Sequence, residues 1–312
     1  MKLNRTSEGI LLGIISAVFY GLNPLFALPL YEEGMNPDSV LFYRYGFAVV
    51  LLAVLLKLQR QSFSLSRKEI VPIAVMGLLF SASSLFLYLS FMYMDAGLAC
   101  TILFVYPILV ALIMFLFFHE RLSFVGILCI LLALTGILLL YRGDGDGGVS
   151  TTGVILVLFS SLSYAIYIVG VNKSSLKRLH TGKLTLFALL FGIIIYVVRL
   201  DFLTSLQPIP SVAAGIRLFS MAFFPTIVSL VCMTAAVHRI GSTVTAVLGA
   251  LEPVTALVIG VLLFDETITP RITAGVILVI GAVTLIVLGD STTNFLKKGA
   301  DIIKSIATKG RR

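Results

Sequence analysis

The polar residues of this chain fall in short clusters, and the stretches between them are almost wholly apolar. About 20 mainly apolar residues, at 1.5 Å each, cross a hydrocarbon core of roughly 30 Å. Ten runs meet that length: residues 9–30, 38–57, 70–92, 97–118, 123–141, 151–171, 183–200, 212–236, 242–264 and 271–289. The connections are short, hold most of the charges, and leave no room for a soluble domain. The pattern predicts an all-α integral membrane protein of ten transmembrane helices. The first run is longer than a signal-peptide core and lacks an A-x-A cleavage pattern, so it reads as a retained span.

Composition strengthens that reading. The chain is 59% hydrophobic and 12% charged, with a mean hydropathy of +1.08. A soluble domain is nearer half apolar and about a quarter charged, and a fold this apolar could not clothe a water-facing surface. The net charge of +8 does not point to nucleic acid, because the basic residues sit in loops and at the C-terminal end, where membrane topology explains them. With the N-terminus in the cytoplasm, 18 of the 23 Lys and Arg fall inside; Arg44, Arg142, Arg199, Arg217 and Arg271 fall outside. An odd number of spans would carry six basic residues of the tail outside, so the count favours ten spans with both termini cytoplasmic.

The two halves of the chain resemble each other. An offset of 144 brings Gly9, Leu12, Ser16 and Tyr20 onto Gly153, Leu156, Ser160 and Tyr164. An offset of 146 brings Pro107, Ile113, Leu116, Phe118 and Glu120 onto Pro253, Ile259, Leu262, Phe264 and Glu266. An offset of 145 pairs Gly136 and Leu140 with Gly281 and Leu285. Matches of Leu and Ile count for little in such a sequence; a Pro and a Glu 13 residues apart in both halves count for more. Residues 1–141 are read as the first five-helix repeat, 142–150 as a solvated linker, 151–289 as the second repeat, and 290–312 as a basic cytoplasmic tail. Five helices per half make the second half enter from the opposite side. That is a 5+5 inverted-topology repeat, in which secondary transporters place their substrate near the midplane between the halves.

Two five-helix halves, each with P-(x)12-E before a final Gly-containing helix, resemble EamA-type members of the drug/metabolite transporter superfamily. HRIGSTVTAVLGALEPVTALVIGVLLFDETIT (238–269) is the closer copy, GLACTILFVYPILVALIMFLFFHERLS (97–123) the looser one, and FYRYGFAVVLL (42–52) resembles the family's Arg-bearing second helix. The resemblance covers nearly all of residues 9–289. It implies an inner-membrane transporter of bacterial type, usually an exporter of metabolites or amino-acid-like solutes, and it fixes no particular substrate.

Candidate chemistry is sparse. Cys100, Cys129 and Cys232 lie inside apolar runs without metal spacing, and His119, His180 and His238 lie at or beyond the ends of runs. No Walker A loop, HExxH or GxSxG motif is present. No cofactor, metal or enzymatic activity is therefore expected. A non-transporting scaffold and a membrane-embedded enzyme are the competing readings, the latter lacking a constellation to support it.

The residue that stands out is Glu252, the one charged side chain between Thr243 and Phe264. A carboxylate at a helix centre costs on the order of 3 kcal/mol, so it should face a cavity or the bundle interior. There it could meet a substrate amine, carry a proton in a coupling cycle, or hold helices together through hydroxyls. Its counterpart in the first half is Tyr106. Pro107 and Pro253 each free the carbonyl four residues back, those of Leu103 and Gly249, and read as kinks or hinges; Pro24 and Pro225 share that reading without support from the repeat. Arg44 snorkels to the outer interface, binds an anion, or pairs with Glu252. Asn23, Ser81, Ser83, Ser84, Tyr88, Tyr106, Tyr164, Tyr167, Thr226 and Ser229 lie mid-run, where they line a cavity or join helices at about 0.6 kcal/mol each. Tyr88, Tyr106, Tyr164 and Asn23 join Glu252 and Arg44 as binding or coupling candidates. The tail places Phe295, Ile302, Ile303 and Ile306 on one helical face among lysines, as in an amphipathic helix on anionic inner-leaflet lipid.

Overall fold

The computed structural model describes residues 4–94, 96–119, 124–140, 150–255, 258, 270–271, 273–282 and 285. The linker 142–149, the tail 290–312, Glu120 and Glu266 lie outside the described residues. Everything regular among the described residues is helical: α1 (Arg5–Tyr20), α2 (Asn23–Glu32), α3 (Pro37–Leu58), α4 (Arg67–Ser90), α5 (Ala96–Leu103), α6 (Tyr106–Phe118), α7 (Phe124–Leu140), α8 (Thr151–Lys173), α9 (Thr181–Arg199), α10 (Val212–Met221), α11 (Ser229–Ile240) and α12 (Ser242–Leu248). A further apolar helix, α13, covers Thr273–Ala282.

Why the helices start and stop where they do is visible in the polar punctuation. Asn36 accepts the Ser39 amide at 2.7 Å ahead of Pro37, Glu69 reaches back to the Ser66 amide at 2.8 Å, and Ser211 accepts the Ala214 amide at 2.9 Å. Each satisfies a donor that the first helical turn leaves free. Lys57, Lys173 and Arg199 sit in last turns, where cations complement the exposed carbonyls. Between these ends the helices are apolar on every side. The inward sides pack a core, and the outward sides leave large residues such as Val50, Phe117 and Val212 exposed, as lipid contact requires.

Among the described residues six helical stretches are long and apolar enough to cross a membrane: Arg5–Glu32, Pro37–Leu58, Arg67–Ser90, Thr151–Lys173, Thr181–Arg199 and Val212–Ile240. Tyr106–Phe118, Phe124–Gly136 and Thr273–Ala282 are shorter apolar helices. Three of the expected spans are interrupted rather than continuous. The first breaks at residues 21–22, the fourth at 104–105 and the ninth at 249–250. The eighth is continuous but expanded, with a π-helical turn over Ala222–Val228 that contains Pro225. Prolines account for the positions: Pro24, Pro107 and Pro253 follow the breaks closely, where the missing N–H cannot continue the ladder.

Packing interleaves the two halves of the chain. α1 lies along α11, and α8 lies along α4; α3 and α4 both pack on α9. The contacts are reciprocal. Ser16 meets Ser229 at 3.3 Å, and Ser160 meets Ser83 at 3.1 Å; the offset of 144 turns Ser16 into Ser160, and the offset of 146 turns Ser83 into Ser229. A Cβ on Gly9 would run into Arg239 and Ile240, and one on Gly153 into Tyr93 and Met94, again pairs separated by 146. Small residues here let backbones approach closely, the main source of helix association in lipid.

Candidate functional site

The three broken spans bring their interruptions together. At Gly21, between α1 and α2, a Cβ would lie 2.5 Å from the Glu252 carbonyl oxygen and 2.8 Å from Thr255 Cβ. Only glycine lets the first break lie against the backbone of the ninth run. At Gly249 a Cβ would lie 1.7 Å from the Tyr106 hydroxyl, so this glycine admits the ring that begins α6. The Tyr106 hydroxyl donates to the Ala246 carbonyl at 3.3 Å and lies 3.5 Å from Glu252 Oε1. Tyr106 and Glu252, which correspond across the 146-residue offset, therefore meet each other.

Tyrosine rings surround that meeting point. Tyr106 packs edge-on against Tyr164 at 4.8 Å between centroids, and Tyr164 stacks on Tyr20 at 6.0 Å and 10°. Tyr20 and Tyr164 are themselves a corresponding pair. Two small cavities flank the partly buried Glu252. One, of about 20 Å³, is lined in part by Tyr20, Asn23, Cys100 and Pro253; the other, of about 10 Å³, by Ser16, Tyr106, Tyr164 and Gly249. The larger holds about one water molecule. Among the described residues neither of these two cavities is large enough for a solute.

Arg44 forms a second centre in α3. It is fully buried (0% exposed), so the structure rules out snorkelling to the interface. Its Nε donates to Thr226 Oγ1 at 2.6 Å, its Nη1 to the Tyr88 hydroxyl at 2.8 Å and its Nη2 to the Pro225 carbonyl at 3.4 Å. The Thr226 hydroxyl in turn donates to the Met221 carbonyl at 2.8 Å, the acceptor that an N–H at position 225 would have used in an ordinary helix. The guanidinium thus grips the π-helical turn, a feature enriched at functional sites. Tyr88 in turn donates to Asn23 Oδ1 at 3.0 Å. No ion pair joins Arg44 to Glu252; among the described residues the ion pairs are Arg199–Asp38, Arg217–Glu33 and Arg239–Glu8.

The predicted candidates thus form two linked groups. Glu252, Tyr106 and Tyr164 cluster at the breaks, with Pro253 in the cavity lining. Arg44, Tyr88 and Asn23 form a chain of hydrogen bonds that reaches the same cavity through Asn23. Pro107 stands at the start of α6, and the Leu103 carbonyl that it frees accepts the Ser161 hydroxyl of α8 at 3.0 Å. Sequence reasoning missed Ser161, Gly21 and Gly249 as site-building residues. Gly249 carries a readable signal, since a glycine three residues before the one charged residue of an apolar run invites close approach; Ser161 carries none beyond its hydroxyl.

Comparison with known proteins places these observations. The sequence model of the EamA-like transporter family matches residues 7–142 and again 151–288. The uncharacterized transporter YdfC of Bacillus subtilis is 24% identical over 281 residues, covering 89% of this chain and 88% of its own. The uncharacterized transporter sll1319 of Synechocystis is 30% identical over 206 residues, covering 64% and 61%. A crystal structure of a protein superposes with a TM-score of 0.78 at 16% identity, covering 91% of this chain and 97% of its own; at that identity it shows a shared fold.

Proposed function

Because this chain belongs to the EamA-like transporter family and is a multi-pass membrane protein, we propose that it moves a small solute, a metabolite or amino-acid-like compound, by alternating access as a secondary exporter. The reading takes ten spans in a 5+5 inverted repeat, residues 1–141 and 151–289, with both termini on the cytoplasmic side of a bacterial inner membrane. The observation that carries it is the meeting of Tyr106 with Glu252 at 3.5 Å. Corresponding residues of two repeats touch only near the axis that relates the repeats, and inverted-repeat transporters place their binding site there. The reciprocal serine contacts support the same axis. Glu252 supplies a group that can exchange a proton as the spans part, which makes a proton gradient the natural energy source.

Reconstitution tests this. Solutes that stabilise the purified chain against heat are loaded into proteoliposomes, and their flux is followed with and without an imposed pH gradient. The transport reading expects saturable flux of at least one such solute, accelerated by the gradient. Flux indifferent to the gradient removes proton coupling alone; absence of flux for every stabilising solute favours a scaffold.

A further inference from the structure

The four arginines with clear geometry divide unevenly. Arg199, Arg217 and Arg239, all partly exposed, each face a carboxylate: Asp38, Glu33 and Glu8. Pairing there contributes little, since water already screens the charges. Arg44 is fully buried in an apolar bundle, and among the described residues its hydrogen-bond acceptors are neutral oxygens, those of Thr226, Tyr88 and Pro225. Hydroxyls and a carbonyl satisfy N–H groups without balancing the charge. Three of the five guanidinium N–H groups have acceptors among the described residues. An ionisable residue inside the membrane is costly and as a rule marks a substrate or ion pathway.

A second, independent donor points to the same place. Asn23 is 3% exposed, and its Nδ2 has no hydrogen-bond partner among the described residues. Its Oδ1 is held by the Tyr88 hydroxyl, which turns the amide N–H groups away from Tyr88, and Asn23 lines the cavity of about 20 Å³ that it shares with Tyr20 and Glu252. The Tyr88 hydroxyl lies 2.8 Å from Arg44 and 3.0 Å from Asn23, so it bridges the two groups.

We propose that Arg44 and Asn23 form a subsite for a carboxylate group of the solute, an inference that rests on the transport reading in taking the central cavity as the solute's place. As the spans part, the carboxylate takes the place of the Tyr88 hydroxyl on the guanidinium, and the Asn23 amide, released from Tyr88, turns its Nδ2 toward it. It then accepts charge-assisted hydrogen bonds from Arg44 and a further bond from Asn23 Nδ2. One guanidinium balances one negative charge, which favours a carboxylate over a phosphate dianion. Glu252 lines the same cavity, so binding requires its carboxylate to be protonated or to face a cationic group of the same solute.

The test uses the full chain in detergent and matched pairs of small compounds: isobutyrate with isobutyramide, benzoate with benzamide, and 3-phenylpropanoate with 3-phenylpropanamide, with inorganic phosphate as the dianion. At least one carboxylate should raise the thermal midpoint with an apparent affinity about tenfold or more above that of its amide, and phosphate should not. Arg44→Gln should erase the difference. Asn23→Asp, nearly isosteric and therefore the safer variant for folding, removes the amide donor and sets a carboxylate beside Arg44; it should also erase the response. Equal stabilisation by acid and amide, no stabilisation by any carboxylate, or a wild-type response in Asn23→Asp would overturn the subsite. Flux separates this from the transport reading. Arg44-dependent binding without flux of any solute leaves the subsite and sinks transport. Flux of amides or amines with no preference for carboxylates does the reverse.

Discussion

The break at residues 104–105 and the break at 249–250 begin from the same sequence logic and end in different bonding. In each, two residues separate one helix from the next, and a proline lies just inside the restarted helix. Each proline orphans one carbonyl. In the first break the Leu103 carbonyl is taken by the Ser161 hydroxyl of α8 at 3.0 Å, a bond across 58 residues of chain. In the second, the Gly249 carbonyl is taken by the Glu252 amide three residues on, at 2.9 Å. The freed carbonyl of the first break is tied to a neighbouring helix; that of the second is closed within its own turn. A non-helical backbone inside a membrane protein persists where protein or a wet cavity receives its polar groups, and the two breaks use one solution each. The locally closed break also carries the carboxylate, Glu252, and substitutions at the two breaks test whether it is the one that moves.

The largest effect that would break this comparison is on Glu252 itself. Glu252→Gln keeps the shape and the bond from Tyr106 while removing the exchangeable charge. If the second break is the working one, flux in proteoliposomes should fall by about tenfold or more, a barrier change of at least roughly 1.4 kcal/mol, and the residual flux should lose its response to a pH gradient. Unchanged flux with unchanged pH dependence would reduce Glu252 to a structural residue and leave the two breaks equivalent in function.

Next in size is Gly249→Ala. The new methyl would lie 1.7 Å from the Tyr106 hydroxyl, so the ring must leave both the Ala246 carbonyl and Glu252. Overpacking of this kind costs about 1–3 kcal/mol, read as a lower thermal midpoint. Combining it with Tyr106→Phe, which removes the clashing oxygen, should recover part of that loss. A double variant no more stable than Gly249→Ala alone would show that the strain lies in the backbone rather than between the two breaks.

How much of this was open to reading follows from the kind of signal each feature leaves. The long helices were legible because apolar length acts locally, as the runs 38–57 and 70–92 show against Pro37–Leu58 and Arg67–Ser90; the caps that start them, Asn36 and Ser66 with Glu69, were not predicted. The fourth and ninth runs were expected to kink at Pro107 and Pro253, since a proline's missing N–H is a property of the residue alone. Their full interruption was not expected, nor was the π-helical turn at Pro225, because both depend on what receives the freed groups: Ser161 for Leu103, Arg44 and Thr226 beside Pro225. Arg44 was the clearest case. Two turns into a span, an arginine can reach the interface or turn inward, and sequence does not choose between these. The choice is made by Tyr88, 44 residues on, and by Thr226, 182 residues on. Tyr106 and Glu252 were known to correspond, but correspondence does not imply contact until the axis relating the halves is placed.

A smaller effect tests the brace at the first break. Ser161→Ala removes the hydroxyl from the Leu103 carbonyl and leaves that oxygen with no recorded donor among the described residues. Interhelical hydrogen bonds in membrane proteins average about 0.6 kcal/mol, so the expected loss of stability is of that order. Its functional consequence is more telling. With both breaks unbraced, hydrogen exchange at the Leu103 end of α5 should rise toward that at Gly249. Exchange that stays unequal would mean that helix packing, and not the serine, holds the first break.

The smallest effect comes from the converse substitution. The offset of 144 places Ala17 where Ser161 stands, and Ala17 lines the cavity of about 10 Å³ together with Gly249 and Glu252. Ala17→Ser therefore offers the second break the kind of donor that the first already has. A serine hydroxyl in a helix can also return to its own turn, as Ser161 does to the Val157 carbonyl at 2.9 Å, so the gain in stability should be only a few tenths of a kcal/mol. Flux is the sharper reading. If freedom at the second break is what transport uses, a new tether there should slow flux while leaving the thermal midpoint unchanged or slightly raised. A variant that transports at the wild-type rate with a raised midpoint would show that the second break can be braced at no cost to movement, and the difference between the two breaks would then be one of history rather than of function.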